Sequence, residues 1–220
     1  MANVARKERG RPLGPTDPEA RRQDFVDAVV RSIAQCGFED LTVATICEAA
    51  GFSRGLIAHY FPGKDALLLR AVQELAKEFE RASRAAVAAA GPNPFDRLHA
   101  VVDASFKPPI FTAEKVLVWV ALASTSRWSP SRAGVYRNLY RPYRRSLSRL
   151  IRRAATECRV EINADRVALT LTQLVEGLLS GWAADPDSFS VCEAAAACHD
   201  LLNAYLGKYR QQPSLPPGAL

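Results

Sequence analysis

Between Thr42 and Lys64 the chain gathers residue types that grip a polyanion: hydroxyls, an arginine, a histidine, a tyrosine and a lysine, spaced by glycines. The run is Thr42-Val-Ala-Thr-Ile-Cys-Glu-Ala-Ala-Gly-Phe-Ser-Arg-Gly-Leu-Ile-Ala-His-Tyr-Phe-Pro-Gly-Lys64. Thr42 suits the cap of a first short helix, its hydroxyl accepting from an otherwise unpaired backbone N–H. Ile46, Ala49 and Ala50 then recur at helical spacing. Gly51 suits a tight turn, because positive φ is cheap only for glycine. Ser53 suits the cap of a second helix that runs to about Tyr60. Two short helices across such a turn make a helix-turn-helix, whose second helix enters the DNA major groove.

Bond-making chemistry is not signalled. No Ser/His/Asp arrangement, glycine-rich phosphate loop or catalytic carboxylate pair stands out, so no enzyme is expected. His59, His99 and His199 are scattered, and Cys192, Cys198 and His199 lack a fourth ligand, so neither a metal nor a cofactor is expected. Five cysteines without CxxC spacing fit reduced thiols in the cytoplasm. A secretory signal is not apparent, and the apolar run Val116 to Ala123 is far too short to span a bilayer, so no membrane partner is expected.

The elements that must position the motif all read as helices. With 220 residues, 48% of them apolar, the chain can bury one good core or two modest ones. The net charge of +6 permits a polyanionic partner without requiring one. Residues 1–17 read as a flexible basic arm and 211–220 as a disordered tail. A first helix starts near Asp17-Pro18, buries Phe25, Val26, Val29, Val30 and Ile33, and stops at Gly37. A fourth begins near Lys64 and extends to Ala90. Further helices are predicted over Phe95 to Phe106, Thr112 to Trp128, Ser129 to Arg159, Asn163 to Trp182 and Ser190 to Lys208. Thr112 to Trp128 is apolar on nearly all sides from Val116 and predicts a central, buried helix. Pro142 lies inside the following helix and is expected to kink it. That helix region carries nine arginines, with Arg137, Arg141, Arg145 and Arg149 at i+4 spacing, and reads as a solvated face. Trp119, Trp128, Tyr136, Tyr140, Tyr143 and Trp182, accompanied by Glu114, Glu176 and Asp185, could form a cage for an organic cation held by ring faces.

The wording of the motif goes beyond its geometry. Gly51-Phe-Ser-Arg-Gly-Leu-Ile-Ala-His-Tyr-Phe-Pro-Gly-Lys-Asp-Ala-Leu67 resembles the signature of the TetR family of one-component bacterial repressors. The resemblance implies an all-α fold: a three-helix DNA-binding domain over 18–64 and an antiparallel helical bundle over 65–210 for effector binding and dimerisation. It places Arg54 and Gly55 at the base-reading end of the recognition helix, and arginine reads guanine O6 and N7 bidentately. It places Thr42, Tyr60 and Lys64 on phosphates. Ser53 and His59 complete the candidate DNA-binding set. The family often carries threonine or serine at Leu56 and tyrosine at Ala58, so base readout here leans on Arg54. In the arm, Arg9 and Arg11 of Arg9-Gly-Arg-Pro12 are candidates for a narrow A·T-rich minor groove, with a solubilising leader as the plain alternative.

Phe111-Thr-Ala-Glu-Lys-Val-Leu-Val-Trp-Val-Ala-Leu-Ala-Ser-Thr-Ser-Arg-Trp-Ser-Pro130, and Leu174-Val-Glu-Gly-Leu178, are similar to the betaine-inhibitor branch of the family. That similarity implies a quaternary ammonium effector such as choline, contacted by Trp119 and balanced by Glu176, with Trp128 and Trp182 as weaker candidates. A homodimer is expected through two helices, Val167, Leu171, Leu174 and Leu178 on one, Ala194, Leu201, Leu202 and Tyr205 on the other. The function expected is a ligand-responsive repressor on a double-stranded, pseudo-palindromic operator. The alternatives are a repressor of an efflux or catabolic operon answering a neutral hydrophobic ligand, an A·T-rich architectural protein, and an all-α enzyme.

Overall fold

The computed structural model describes residues 18–37 and 40–207. Among them every regular element is a helix: α1 (Pro18–Cys36), α2 (Val43–Ala50), α3 (Arg54–Tyr60), α4 (Lys64–Ala89), α5 (Pro94–Ser105), α6 (Ala113–Thr125), α7 (Pro130–Cys158), α8 (Ala164–Ala184) and α9 (Val191–Leu206). The arm with Arg9 and Arg11, and the tail 211–220, lie outside the described residues.

Local chemistry sets the helix ends. Thr42 makes a capping box with Thr45, accepting from the Thr45 N–H at 3.1 Å while its own N–H donates to Thr45 Oγ1 at 2.9 Å. Ser53, Asn93, Thr112, Ser129, Asn163 and Ser190 likewise cap the helices that follow them. Gly51 closes α2 in the left-handed region at φ 69°, and the Phe52 N–H returns to the Cys47 carbonyl at 3.0 Å.

The chain forms two compact units that divide after Glu74, within α4. The first unit is built on Phe25, which is fully buried. Its ring meets Phe52 edge-on at 4.9 Å, Tyr60 at 5.5 Å and Phe61 edge-on at 5.7 Å. Ile33, Leu41, Ile46, Ile57, Leu67 and Leu68 are buried with it.

In the second unit α7 and α8 are joined by a short turn, and α5, α6 and α9 pack against them. Its core includes Phe95, Leu98, Val102, Leu147, Ile151, Val167, Leu171, Cys198 and Leu202. Two expectations change here. Val167, Leu171, Ala194 and Leu202, grouped with a subunit interface by their periodicity, are consumed by the protomer's own core. One helical stripe serves an internal or an external partner equally well, so periodicity does not choose between them. The helix from Thr112 is also less central than its apolar composition suggests. α6 buries Val116, Val118 and Leu122, whereas Ala123 and Ser124 are exposed and Ser126–Trp128 is a 3-10 turn. α7 remains a single helix through Pro142.

Removing the central ring should undo the first unit. Phe25→Ala is expected to cost about 3–5 kcal/mol by leaving a cavity among Phe52, Tyr60 and Phe61. Chemical denaturation monitored by circular dichroism measures it.

Candidate nucleic-acid interface and effector cavity

The α2–turn–α3 segment presents a coherent polar edge. Arg54 and Gly55 are exposed in the first turn of α3, directly after the Ser53 cap. The Ser53 hydroxyl accepts from the Leu56 N–H at 3.2 Å, so its role is to shape the helix end. His59 is exposed on the last turn, its ring edge-on to Tyr60 at 5.2 Å. Tyr60 is half-buried, with one side against Phe25 and the Arg22 guanidinium 6.0 Å from its ring centre. Thr42 is exposed at the start of α2, and Lys64 is half-buried at the start of α4. Neither α2 nor α3 has an acidic residue in its first turn. Leu56 is half-buried, while Ala58 is exposed and small.

A second site lies wholly within the other unit. Trp119 of α6 and Glu176 of α8 line one cavity together with Phe79 of α4, Phe111, and Tyr140 and Tyr143 of α7. The Tyr136 hydroxyl donates to Glu176 Oε1 at 2.5 Å, and Gln173 Nε2 donates to Glu176 Oε2 at 2.6 Å. Tyr136 and Tyr140 stack with ring centres 4.3 Å apart. Burial first, and the nearby Glu176 carboxylate second, push ionisation of both tyrosines far above its ordinary value near 10, so both remain protonated donors. Tyr143 is pushed up to about 12 by burial, partly offset by a hydrogen bond with Ser105. Phe79 meets Tyr143 edge-on at 5.1 Å.

The other sequence candidates lie elsewhere. Trp182 packs edge-on against Phe111 at 5.0 Å and so stands behind the wall. Trp128 is 76% exposed in the turn after α6, away from the cavity. Glu114 and Asp185 are at the surface. Tyr140 and Tyr143 belong to the aromatic set named from the sequence, whereas Phe79 and Phe111 were not named as wall residues. Tyr136, Tyr140 and Tyr143 fall at i, i+4 and i+7 on one helix face. Phe79 and Phe111 carried no such signal, because each reaches the cavity from an element distant in sequence.

The cavity measures about 30 Å³. That is roughly one water's share of liquid volume, whereas a benzene-sized molecule occupies a cavity of about 150 Å³. The lining side chains close on one another and leave less room than a benzene-sized molecule occupies.

A helix-turn-helix unit joined to a larger helical unit is the build of a DNA-binding transcriptional regulator. Residues 25–71 match the model for bacterial regulatory proteins of the tetR family, and residues 94–207 match the BetI-type transcriptional repressor C-terminal model. The chain is 30% identical over 182 residues to the HTH-type transcriptional regulator BetI of Brucella canis, covering 83% of this chain and 89% of the relative. It is 36% identical over 117 residues to BetI of Stenotrophomonas maltophilia, covering 53% of this chain and 60% of that one. The chain belongs to the TetR family, with a BetI-type C-terminal domain, and is a DNA-binding transcriptional regulator rather than an enzyme.

Solved structures share the fold. One from Pseudomonas aeruginosa PAO1, described as a transcriptional regulator, is 27% identical with a TM-score of 0.75, over 86% of this chain and 92% of that one. A Saccharomonospora viridis protein, solved in complex with choline, is 21% identical with a TM-score of 0.75, over 84% of this chain and 96% of that one.

The two kinds of cation in the motif should behave differently on DNA. Arg54→Ala is expected to cost about 1–3 kcal/mol and to relax base preference at one position per half-site. Lys64→Ala should weaken all sequences alike and flatten the salt dependence. Quantitative footprinting over a salt series reads both effects.

Proposed function

We propose that this chain is a homodimeric repressor that releases a pseudo-palindromic operator when choline, or a closely related small quaternary ammonium compound, enters the α4–α8 cavity. The observation that carries the reading is the convergence of Trp119 and Glu176, with Tyr140, Tyr143, Phe79 and Phe111, on one cavity. A quaternary ammonium cannot donate an N–H hydrogen bond. Ring faces and a carboxylate are the groups that attract it. BetI relatives and the choline-bound S. viridis structure support the same ligand class.

On this reading Thr42, Ser53, Arg54, Gly55, His59, Tyr60 and Lys64 form the operator-facing set. Arg54 and Gly55 read bases and Thr42, Tyr60 and Lys64 hold phosphates. Two recognition helices would sit about 34 Å apart, one DNA turn. The five cysteines are unpaired, which supports work in the reducing cytoplasm. Release is a population shift. Phe79 stands on α4, whose first turns belong to the DNA-binding unit, so displacing that ring acts along one continuous helix. A ligand that prefers the released state 100-fold would weaken operator binding by about 2.7 kcal/mol at saturation.

The dimer surface proposed is the outer side of α8 and α9. Leu169 and Tyr205 are 44% and 39% exposed, and Leu174, Leu178 and Leu201 are only partly covered. α8 is long and apolar enough by composition to cross a membrane, yet Val167, Ala168 and Leu171 place one side of it in the core. Its remaining apolar side is what a second copy would bury.

Two measurements check these proposals. Calorimetry should show choline binding that Trp119→Phe weakens modestly and Glu176→Gln weakens about tenfold or more, with operator affinity intact in both. Absence of binding at millimolar choline, with DNA binding preserved, would remove the effector and leave the regulator. Sedimentation should give a species of twice 24.1 kDa. Leu174→Glu, which puts an unpaired charge into the contact, should return it to the single-chain mass.

A further inference from the structure

The nearly closed cavity of the second unit has a larger, open neighbour. A groove of about 670 Å³ lies between Ala82, Ala85 and Ala86 of α4 and Ala100 and Ala104 of α5. The connection from α5 to α6 adds Lys107, Pro108, Pro109 and Ile110 to its lining. A benzene-sized molecule needs only about 150 Å³, so the groove admits a small organic ligand that the cavity, as it stands, does not.

The partition between the two spaces is one residue thick. Ile110 is buried and lines both. Glu78 and Ala104 line the groove, while the next residues in the chain, Phe79 and Ser105, line the cavity. Ile110 and Phe111 are the two cavity-lining residues that stand outside a helix. The Phe111 N–H donates to the Lys107 carbonyl at 2.9 Å, so this stretch forms one turn. Shifting a short connection disturbs fewer packed contacts than shifting α6, α7 or α8, which pack on one another.

One side chain ties that connection down. Lys115, in the first turn of α6, donates from Nζ to the Pro109 carbonyl at 2.8 Å and pairs with Glu78 Oε2 at 2.6 Å. The ammonium thus fastens the residue before Ile110 to α4, at the residue before Phe79. Lys115 and Glu78 are both half-buried, and neither lines the cavity.

Building on the effector reading above, we infer that the α4–α5 groove is the entrance to the cavity, with Ile110 as its gate and Lys115 as its latch. When Lys115 releases the Pro109 carbonyl, the connection is free to move, and Ile110 and Phe111 leave the partition together. A gate of this kind sets how fast a ligand enters and leaves. It does not set affinity, because entry and exit cross the same barrier.

Stopped-flow tryptophan fluorescence on the full chain, over a series of choline concentrations, tests this beside calorimetry. Lys115→Met removes both latch contacts. It should raise the association and dissociation rates together, each about threefold to tenfold, with the dissociation constant held within about twofold. Ala100→Phe, which fills the groove and leaves the cavity lining alone, should slow both rates, again at nearly constant affinity. Unchanged rates in both variants, with choline still bound, would overturn the entrance while leaving the effector in place. A change confined to the dissociation rate would equally overturn it, since that marks a binding contact and not a gate. Absence of choline binding by the unmodified protein would remove the effector reading and the inference together.

Discussion

A recognition helix of seven residues cannot hold itself. Isolated helices shorter than about 12–15 residues are marginal in water, and α2 and α3 have eight and seven. Their geometry is borrowed from the ring of Phe25, which contacts Phe52 just before α3 and Tyr60 and Phe61 at its end. Both ends of the reading helix are thereby pinned to α1. The Gly51 turn sets the angle, and the Thr42 and Ser53 hydroxyls settle the backbone groups that the short helices leave over. Arg54 can be exposed and still well placed because everything beneath it is apolar and fixed.

The second unit meets a different constraint, a carboxylate set inside an aromatic wall. A charge taken out of water must be answered by hydrogen bonds or by an opposite charge. Tyr136 and Gln173 answer Glu176 in the protein itself. In the proposed function an organic cation takes over part of that answer, and because the wall is nearly closed at about 30 Å³ its entry is coupled to movement of the lining side chains.

Much of the architecture could be read from the chain alone. Caps at Thr42, Ser53, Thr112, Ser129, Asn163 and Ser190, with breakers at Gly37, Gly51 and Gly91-Pro92, are local signals, and local signals survive folding. Trp119 and Glu176, set together from the family similarity and the aromatic set, do line one cavity. Trp128 carried the same signal and stands 76% exposed. A tryptophan at the end of an apolar helix looks the same in sequence whether the helix continues or unwinds into a 3-10 turn.

By itself, then, the sequence determined the helical class, the positions of nearly every helix end and the short helix that starts at Arg54. These depend on residues within a few positions of one another. Tertiary structure alone decided which apolar stripe faces inward. It took Val167, Leu171, Ala194 and Leu202 into the protomer core and left Leu169 and Tyr205 outside. It alone brought Phe79, Phe111, Ser105, Tyr143 and Thr172 around one cavity. Those contacts join elements far apart in the chain, and periodicity records that a face is buried but not what buries it.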